Sequence, residues 1–126
     1  MDLFLTNRSG SLYKGPICAI GFGVSALLGS SKTLKNDKKT VFGLSSRSVT
    51  APSNAEISRY DYFKYLANNQ IEDVLREKGA KYTDSGVDRI HVVVDGSLIT
   101  AQNSPSTALA IQNLIWLWKS SQQSIR

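Results

Sequence analysis

The residues whose types and spacing could do chemistry lie in Pro16-Ile-Cys-Ala-Ile-Gly21-Phe-Gly23-Val-Ser-Ala-Leu-Leu28. Ile17 to Ile20 is a short apolar run, and Val24, Leu27 and Leu28 then repeat at helical spacing. Gly21 and Gly23 therefore fall where a strand turns sharply into a helix, the position at which open α/β sheets place ligands and nucleophiles. Two chemistries use such a turn. A dinucleotide site would read Gly-x-Gly-x-x-Ala as Gly21, Gly23 and Ala26, and it needs an acidic residue about 20 residues on to hold the ribose. Between Thr40 and Thr50 there is no Asp or Glu. Nucleophilic catalysis needs Ser, Cys or Asp at the apex, and the apex is Gly21, which has no side chain.

The other reactive side chains have plainer readings. Cys18 lies inside the strand, where a cysteine behaves as a small hydrophobe. Ser25 sits one turn into the helix and is read as close packing. His91, the single histidine, begins an apolar strand and is read as structural. No cofactor or metal site is expected.

The elements that must position this turn follow in chain order. Residues 1 to 15 carry a polar turn cluster, Asn7-Arg8-Ser9-Gly10-Ser11, and no expected strand; Asn7-Arg8-Ser9 fits a glycosylation acceptor by chance. Ile17 to Ile20 is expected to be buried on both faces. Gly29 to Thr40 reads as a helix end and a basic loop holding Lys32, Lys35, Lys38 and Lys39, relieved by Asp37. Such a run is usually a solvated loop, with RNA or another acidic partner as its functional alternative. Val41 to Thr50 is a second strand region, interrupted by Gly43. Ser53-x-x-Glu56 is a capping box, with Ser53 at the N-cap and Glu56 reaching back. Tyr60, Tyr62, Phe63 and Tyr65 are read as packing, with base stacking as the alternative.

Gln70 to Lys78 places Ile71, Val74 and Leu75 on one helical face and stops at Gly79. Ile90 to Val94 and Leu98 to Ala101 are β-rich runs joined by Asp95-Gly96, a strong hairpin signal. A closing helix from Pro105 to Lys119, with Ser104 at its N-cap, sets Ala108, Ile111, Leu114, Ile115 and Trp118 at helical spacing, so that this face is expected on the sheet. Trp116 and Trp118 cannot share a face, and the less buried one is a candidate contact for another subunit.

Composition bounds the class. The 126 residues carry a net charge of +5, with 41% hydrophobic and 20% charged residues, which is ordinary for a single globular domain spanning 1–126. One cysteine excludes an internal disulfide framework. No signal peptide and no membrane-spanning run is recognised, so a soluble intracellular protein is expected.

The elbow stretch, together with His91-Val-Val-Val-Asp95, Leu98-Ile-Thr-Ala-Gln-Asn103-Ser104, Ser106-Thr107 and Ala110-Ile-Gln-Asn-Leu114, resembles the PfpI-like branch of the class I glutamine amidotransferase-like superfamily. The resemblance implies an α/β, flavodoxin-like three-layer sandwich with a parallel core sheet, incomplete on its amino-terminal side. Catalytic members place a cysteine at the elbow, in the pattern Ile-Cys-x-Gly-x-x-x-Leu, and a later histidine before a proline. Laid on this pattern, Gly21 takes the nucleophile position and Ala51 the position at or beside the histidine. Cys18 is no displaced substitute, since a three-residue shift along a strand moves it to the opposite face. The chain is thus expected not to be an enzyme, with Gly21, Phe22 and Gly23 forming a degenerate elbow. The resemblance further implies a self-associating scaffold or adaptor subunit of an endosomal Rab-effector assembly associated with messenger RNA. Its place would be the cytoplasm, peripheral on early endosomes. The alternatives are a PfpI-like hydrolase or amidotransferase and a nucleotide-binding α/β domain.

Overall fold

A computed structural model describes residues 5–6, 12–13, 15–30, 44–59 and 70–124. The basic loop with Lys32, Lys35, Lys38 and Lys39 lies outside the described residues, as do Tyr60, Tyr62, Phe63 and Tyr65.

The chain begins with β1 (Leu5–Thr6) and β2 (Leu12–Tyr13), paired antiparallel with Leu5 opposite Tyr13. This corrects the expectation that no strand forms there: the two short segments flank the turn-forming cluster Asn7 to Ser11 and satisfy one another's backbone groups. The main sheet has the order β3-β7-β6, with β3 at Ile17–Ile20, β6 at Val92–Asp95 and β7 at Leu98–Ala101. β6 and β7 form the expected hairpin, and Gly96 supplies the left-handed φ of +60° in its turn. β3 runs parallel to β7 in the register Ile17 to Leu98 through Ile20 to Ala101.

All four residues of the central strand β7 are buried, whereas in β3 only Ala19 is fully so. The expected complete burial of β3 fails because, among the described residues, β3 is the edge of this sheet. Both of its faces are nevertheless used, with the period of two that a strand imposes. Ile17 and Ala19 join the cluster of Val24, Leu27, Val49, Leu75 and Leu98, while Cys18 and Ile20 pack with Ile99, Ala101, Ala110, Leu114 and Leu117 on the other side.

Behind β3 come a 3-10 turn, Gly21–Val24, and α1 (Ser25–Ser30), anchored by buried Val24 and Leu27 as their spacing requires. Of the strand expected over Val41 to Thr50, only β4 (Ser48–Val49) forms among the described residues 44–50. It pairs parallel with β5 (Lys81–Tyr82). α2 (Asn54–Arg59) starts as predicted, with the Glu56 amide donating to Ser53 Oγ at 3.0 Å. α3 (Ile71–Glu77) buries Ile71 and Leu75 and stops at Gly79, whose φ is +82°.

The closing helix begins as a 3-10 turn, Ser104–Ser106, and continues as α4 (Thr107–Ser124). Its N-cap is Asn103 rather than Ser104, and no side chain caps it. The face it buries differs from the expected one. Ser106 and Ala110 are fully buried and Leu114 and Leu117 pack on the sheet, while Ile111, Ile115 and Trp118 are exposed. Leu109, Ala110, Ile111, Leu114, Ile115, Trp116, Leu117 and Trp118 put apolar groups on every side of this helix, so spacing alone admits several faces. Burial of Ser106 in the preceding turn fixes the phase.

Candidate functional site

The sheet brings the elbow and the segment after β7 to one place. Because Ile20 stands beside Ala101 in a parallel pair, Gly21 and Gln102 leave the sheet at the same end, the carboxyl end where α/β proteins carry their sites. Gly21 has φ +58°, a conformation natural to glycine. A Cβ added there would meet nothing within 4 Å. The elbow therefore keeps the room for a nucleophile's side chain and holds none.

That room belongs to a cavity of about 390 Å³ whose walls include Ile20, Gly21 and Phe22 from the turn and Gln102, Asn103 and Ser104 from the end of β7. Pro52, Glu56 and Ile57 close a second side and Asp88 a third. Glu56 is its polar centre. Only 4% exposed, its carboxylate turns inward rather than back to the start of α2, which corrects the second half of the capping box. Its Oε2 accepts from the Asp88 amide at 3.0 Å, from Gln102 Nε2 at 2.9 Å and from Asn103 Nδ2 at 2.6 Å. Asp88 reaches this position with φ +62°, a conformation costing a non-glycine residue about 1 kcal/mol or more, and the hydrogen bond to Glu56 offsets it.

The partners of Glu56 are themselves fixed. Gln102 Oε1 accepts from the Ser85 amide at 2.8 Å. Asn103 Nδ2 also donates to the Arg89 carbonyl at 2.8 Å, and its Oδ1 accepts from Ser106 Oγ at 2.6 Å. Ser106 Oγ in turn accepts from the His91 amide at 2.9 Å. This chain of bonds orients the amides so that their N–H groups converge on one carboxylate oxygen.

The remaining sequence candidates lie elsewhere. Cys18 packs against α4, and burial pushes its thiol pKa up, which disfavours the thiolate. Ala51 is fully buried in the core, its carbonyl accepting from the Tyr82 hydroxyl at 3.1 Å, and only its neighbour Pro52 reaches the cavity. The His91 ring lies between Thr83 Oγ1, 2.9 Å from Nε2, and Ser85 Oγ, 3.1 Å from Nδ1, and is not part of the cavity wall. Ser25 Oγ donates to the Phe22 carbonyl at 2.6 Å and so braces the turn. Trp116 and Trp118 stand on α4, 67% and 51% exposed.

Chemically, the cavity wall offers two carboxylates, two amides and one hydroxyl, with no thiol or imidazole among the described residues. These groups can orient and bind a ligand, and they include no thiol–imidazole pair of the kind that a catalytic elbow uses. Sequence reasoning missed Glu56, because a capping box explains it locally, and Asp88, which no motif marks. Gln102 and Asn103 had a usable signal, since they directly follow the run Leu98 to Ala101 read as a strand, and strand ends carry sites in α/β sheets.

No protein-family model matches the chain. It is 41% identical over 102 residues to the human protein "Glutamine amidotransferase-like class 1 domain-containing protein 1", covering 81% of this chain and 44% of that protein. A Xenopus laevis protein of the same name is 44% identical over 104 residues, covering 82% and 43%. The chain thus spans less than half the length of the curated relatives it matches. Among solved structures, Rapid Encystment Protein 24 kDa from Francisella tularensis superposes with a TM-score of 0.67 at 30% identity, over 79% of this chain and 42% of that one. A second crystal structure shares the fold with a TM-score of 0.69 at 23% identity, over 88% and 46%. With an α/β sheet whose parallel strands end at a glycine elbow, the chain is thus homologous over about four fifths of its length to curated proteins named glutamine amidotransferase-like class 1 domain-containing protein 1.

Proposed function

We propose that this chain is a non-catalytic glutamine amidotransferase-like domain that acts as a scaffold or adaptor. The observation that carries this reading is Gly21: the turn has the backbone of a nucleophile elbow, with a side chain absent at its apex. With helices on both faces of the main sheet, α1 and α3 on one and α4 on the other, we take the fold as part of a flavodoxin-like three-layer sandwich.

The adaptor role extends the family resemblance to a subunit of an endosomal Rab-effector assembly, FERRY, that associates with messenger RNA, and to a cytoplasmic protein peripheral on early endosomes. Two features support it. Leu109, Ile115, Trp116 and Trp118 leave α4 with a broad exposed apolar surface, and large exposed apolar surfaces mark interaction sites. No helix among the described residues is long and apolar enough to cross a membrane.

The test has two arms. Amidase, deglycase and protease assays on the purified chain should give no thiol-dependent turnover; activity lost in Cys18→Ala would overturn the non-catalytic reading. Light scattering should show self-association that Trp116→Ala and Trp118→Ala weaken. A folded monomer that retains no subunit of the assembly in a pull-down would end the adaptor reading.

A further inference from the structure

We propose that the cavity beside Gly21 binds a small organic cation, a primary ammonium carried on a compact apolar body. The inference goes beyond the adaptor role and uses the non-catalytic reading only in that the ligand is released unchanged.

Charge sets the class of ligand. The charged side chains on the cavity wall are Glu56 and Asp88, both acidic, and no Lys, Arg or His of the described residues joins them there. Asp88 has partners of its own, among them Arg59 at 3.9 Å, a weak pair between largely exposed side chains, so Glu56 carries the charge of the site. Glu56 is different. It is buried, and its three amide donors all meet Oε2, so that among the described residues Oε1 receives no hydrogen bond. That oxygen is not one of the enclosed, unpartnered side-chain atoms of the described residues, so it opens on the cavity, where a cationic donor satisfies it better than water.

Shape sets the size. Ile20, Phe22, Pro52 and Ile57 give the cavity apolar walls. The missing Cβ of Gly21 adds free space at the mouth of the elbow. About 390 Å³ falls at the small end of ligand pockets, enough for one ring or a short branched chain. An ammonium directed at Glu56 would leave its apolar body against these walls, whereas a carboxylate of the same shape would be repelled by both acids.

The experiment uses the full chain and three probes matched in shape: benzylamine, benzyl alcohol and benzoate. In two-dimensional ¹H–¹⁵N spectra benzylamine should shift the amides of Gly21, Phe22, Gln102 and Asn103 saturably. Benzyl alcohol should bind about tenfold more weakly or worse, as the loss of a charge-assisted bond predicts, and benzoate should leave these amides unmoved. Glu56→Gln should reduce benzylamine affinity about tenfold. Should that variant not fold, Asp88→Asn decides, because asparagine tolerates the left-handed backbone and removes one charge; it should weaken benzylamine about twofold and leave benzyl alcohol unchanged. Equal binding of amine and alcohol, preferred binding of benzoate, or shifts scattered away from the elbow would overturn the proposal. Conversion of the amine would instead overturn the non-catalytic reading and leave the binding site standing.

Discussion

Replacing Gly21 by alanine tests the elbow itself, with Gly23→Ala as its control. The two glycines are two residues apart, and an added Cβ meets nothing within 4 Å at either, so neither variant creates a clash. They differ in backbone: Gly21 has φ +58°, and Gly23 does not have a left-handed φ. At Gly21 an L side chain costs about 1–2 kcal/mol in the left-handed region, offset by about 0.4–1 kcal/mol from the reduced freedom of the unfolded chain. The net is a loss of about 1 kcal/mol. At Gly23 only the second contribution operates, giving a gain of about 0.5 kcal/mol. For a domain of this size 1 kcal/mol corresponds to about 3–6 °C in Tm. Thermal and urea unfolding should therefore show Gly21→Ala several degrees below the parent and Gly23→Ala slightly above it. Equal shifts of the same sign would refute the assignment of Gly21 to the strained apex. Gly21→Cys extends the test to chemistry: its thiol should react freely with a disulfide reagent from within the cavity, yet give no turnover, since no imidazole of the described residues lines the wall.

Other consequences are as direct. Cys18, with its thiol pKa raised by burial, should react with disulfide reagents at pH 8 more slowly than a free cysteine, the rate climbing only as pH rises beyond the ordinary thiol range. Leu114→Ala should cost about 1–2 kcal/mol in urea unfolding, because Leu114 packs on the sheet, whereas Ile115→Ala should stay within about 0.5 kcal/mol; the reverse order would mean that α4 is rotated. Arg47→Met should destabilise by about 2 kcal/mol. Arg47 is buried, its Nη2 donates to the Asp95 carbonyl at 3.0 Å and its Nε lies 3.3 Å from Asp95 Oδ2, so the variant leaves the Ser48 amide, 2.8 Å from the same carboxylate oxygen, as the remaining bond from β4 to Asp95 and deprives that part-buried carboxylate of its cation.

What was legible in the sequence was local. Asp95-Gly96 between β-branched runs specifies a hairpin from neighbouring residues alone, and Gly21 followed by Val24 and Leu27 specifies a turn and a helix in the same way. Features decided at a distance were not legible. Apolar residues surround α4, so its buried face follows from Ser106 and Ala110 meeting the sheet and not from its own period. Glu56 satisfies a capping rule with its backbone amide while its carboxylate answers to Gln102 and Asn103, 46 and 47 residues away. A local rule was obeyed by one atom of that residue and overridden for another.

Glu56 also shows why the cavity is more than a remnant of packing. Burying a carboxylate is costly, and an apolar residue of similar size with apolar neighbours would serve a core at least as well. Here the surroundings are built for the charge: Gln102 is fully buried and anchored by Ser85, Asn103 is anchored by Ser106 and Arg89, and Asp88 adopts a left-handed backbone to present its amide. Those donors hold the carboxylate from one side only, through Oε2. A carboxylate held for stability alone is best served by donors on both oxygens, whereas here Oε1 is left to the cavity. Concentrating them on one oxygen orients the carboxylate and leaves its other oxygen available beside an elbow whose apex is a glycine.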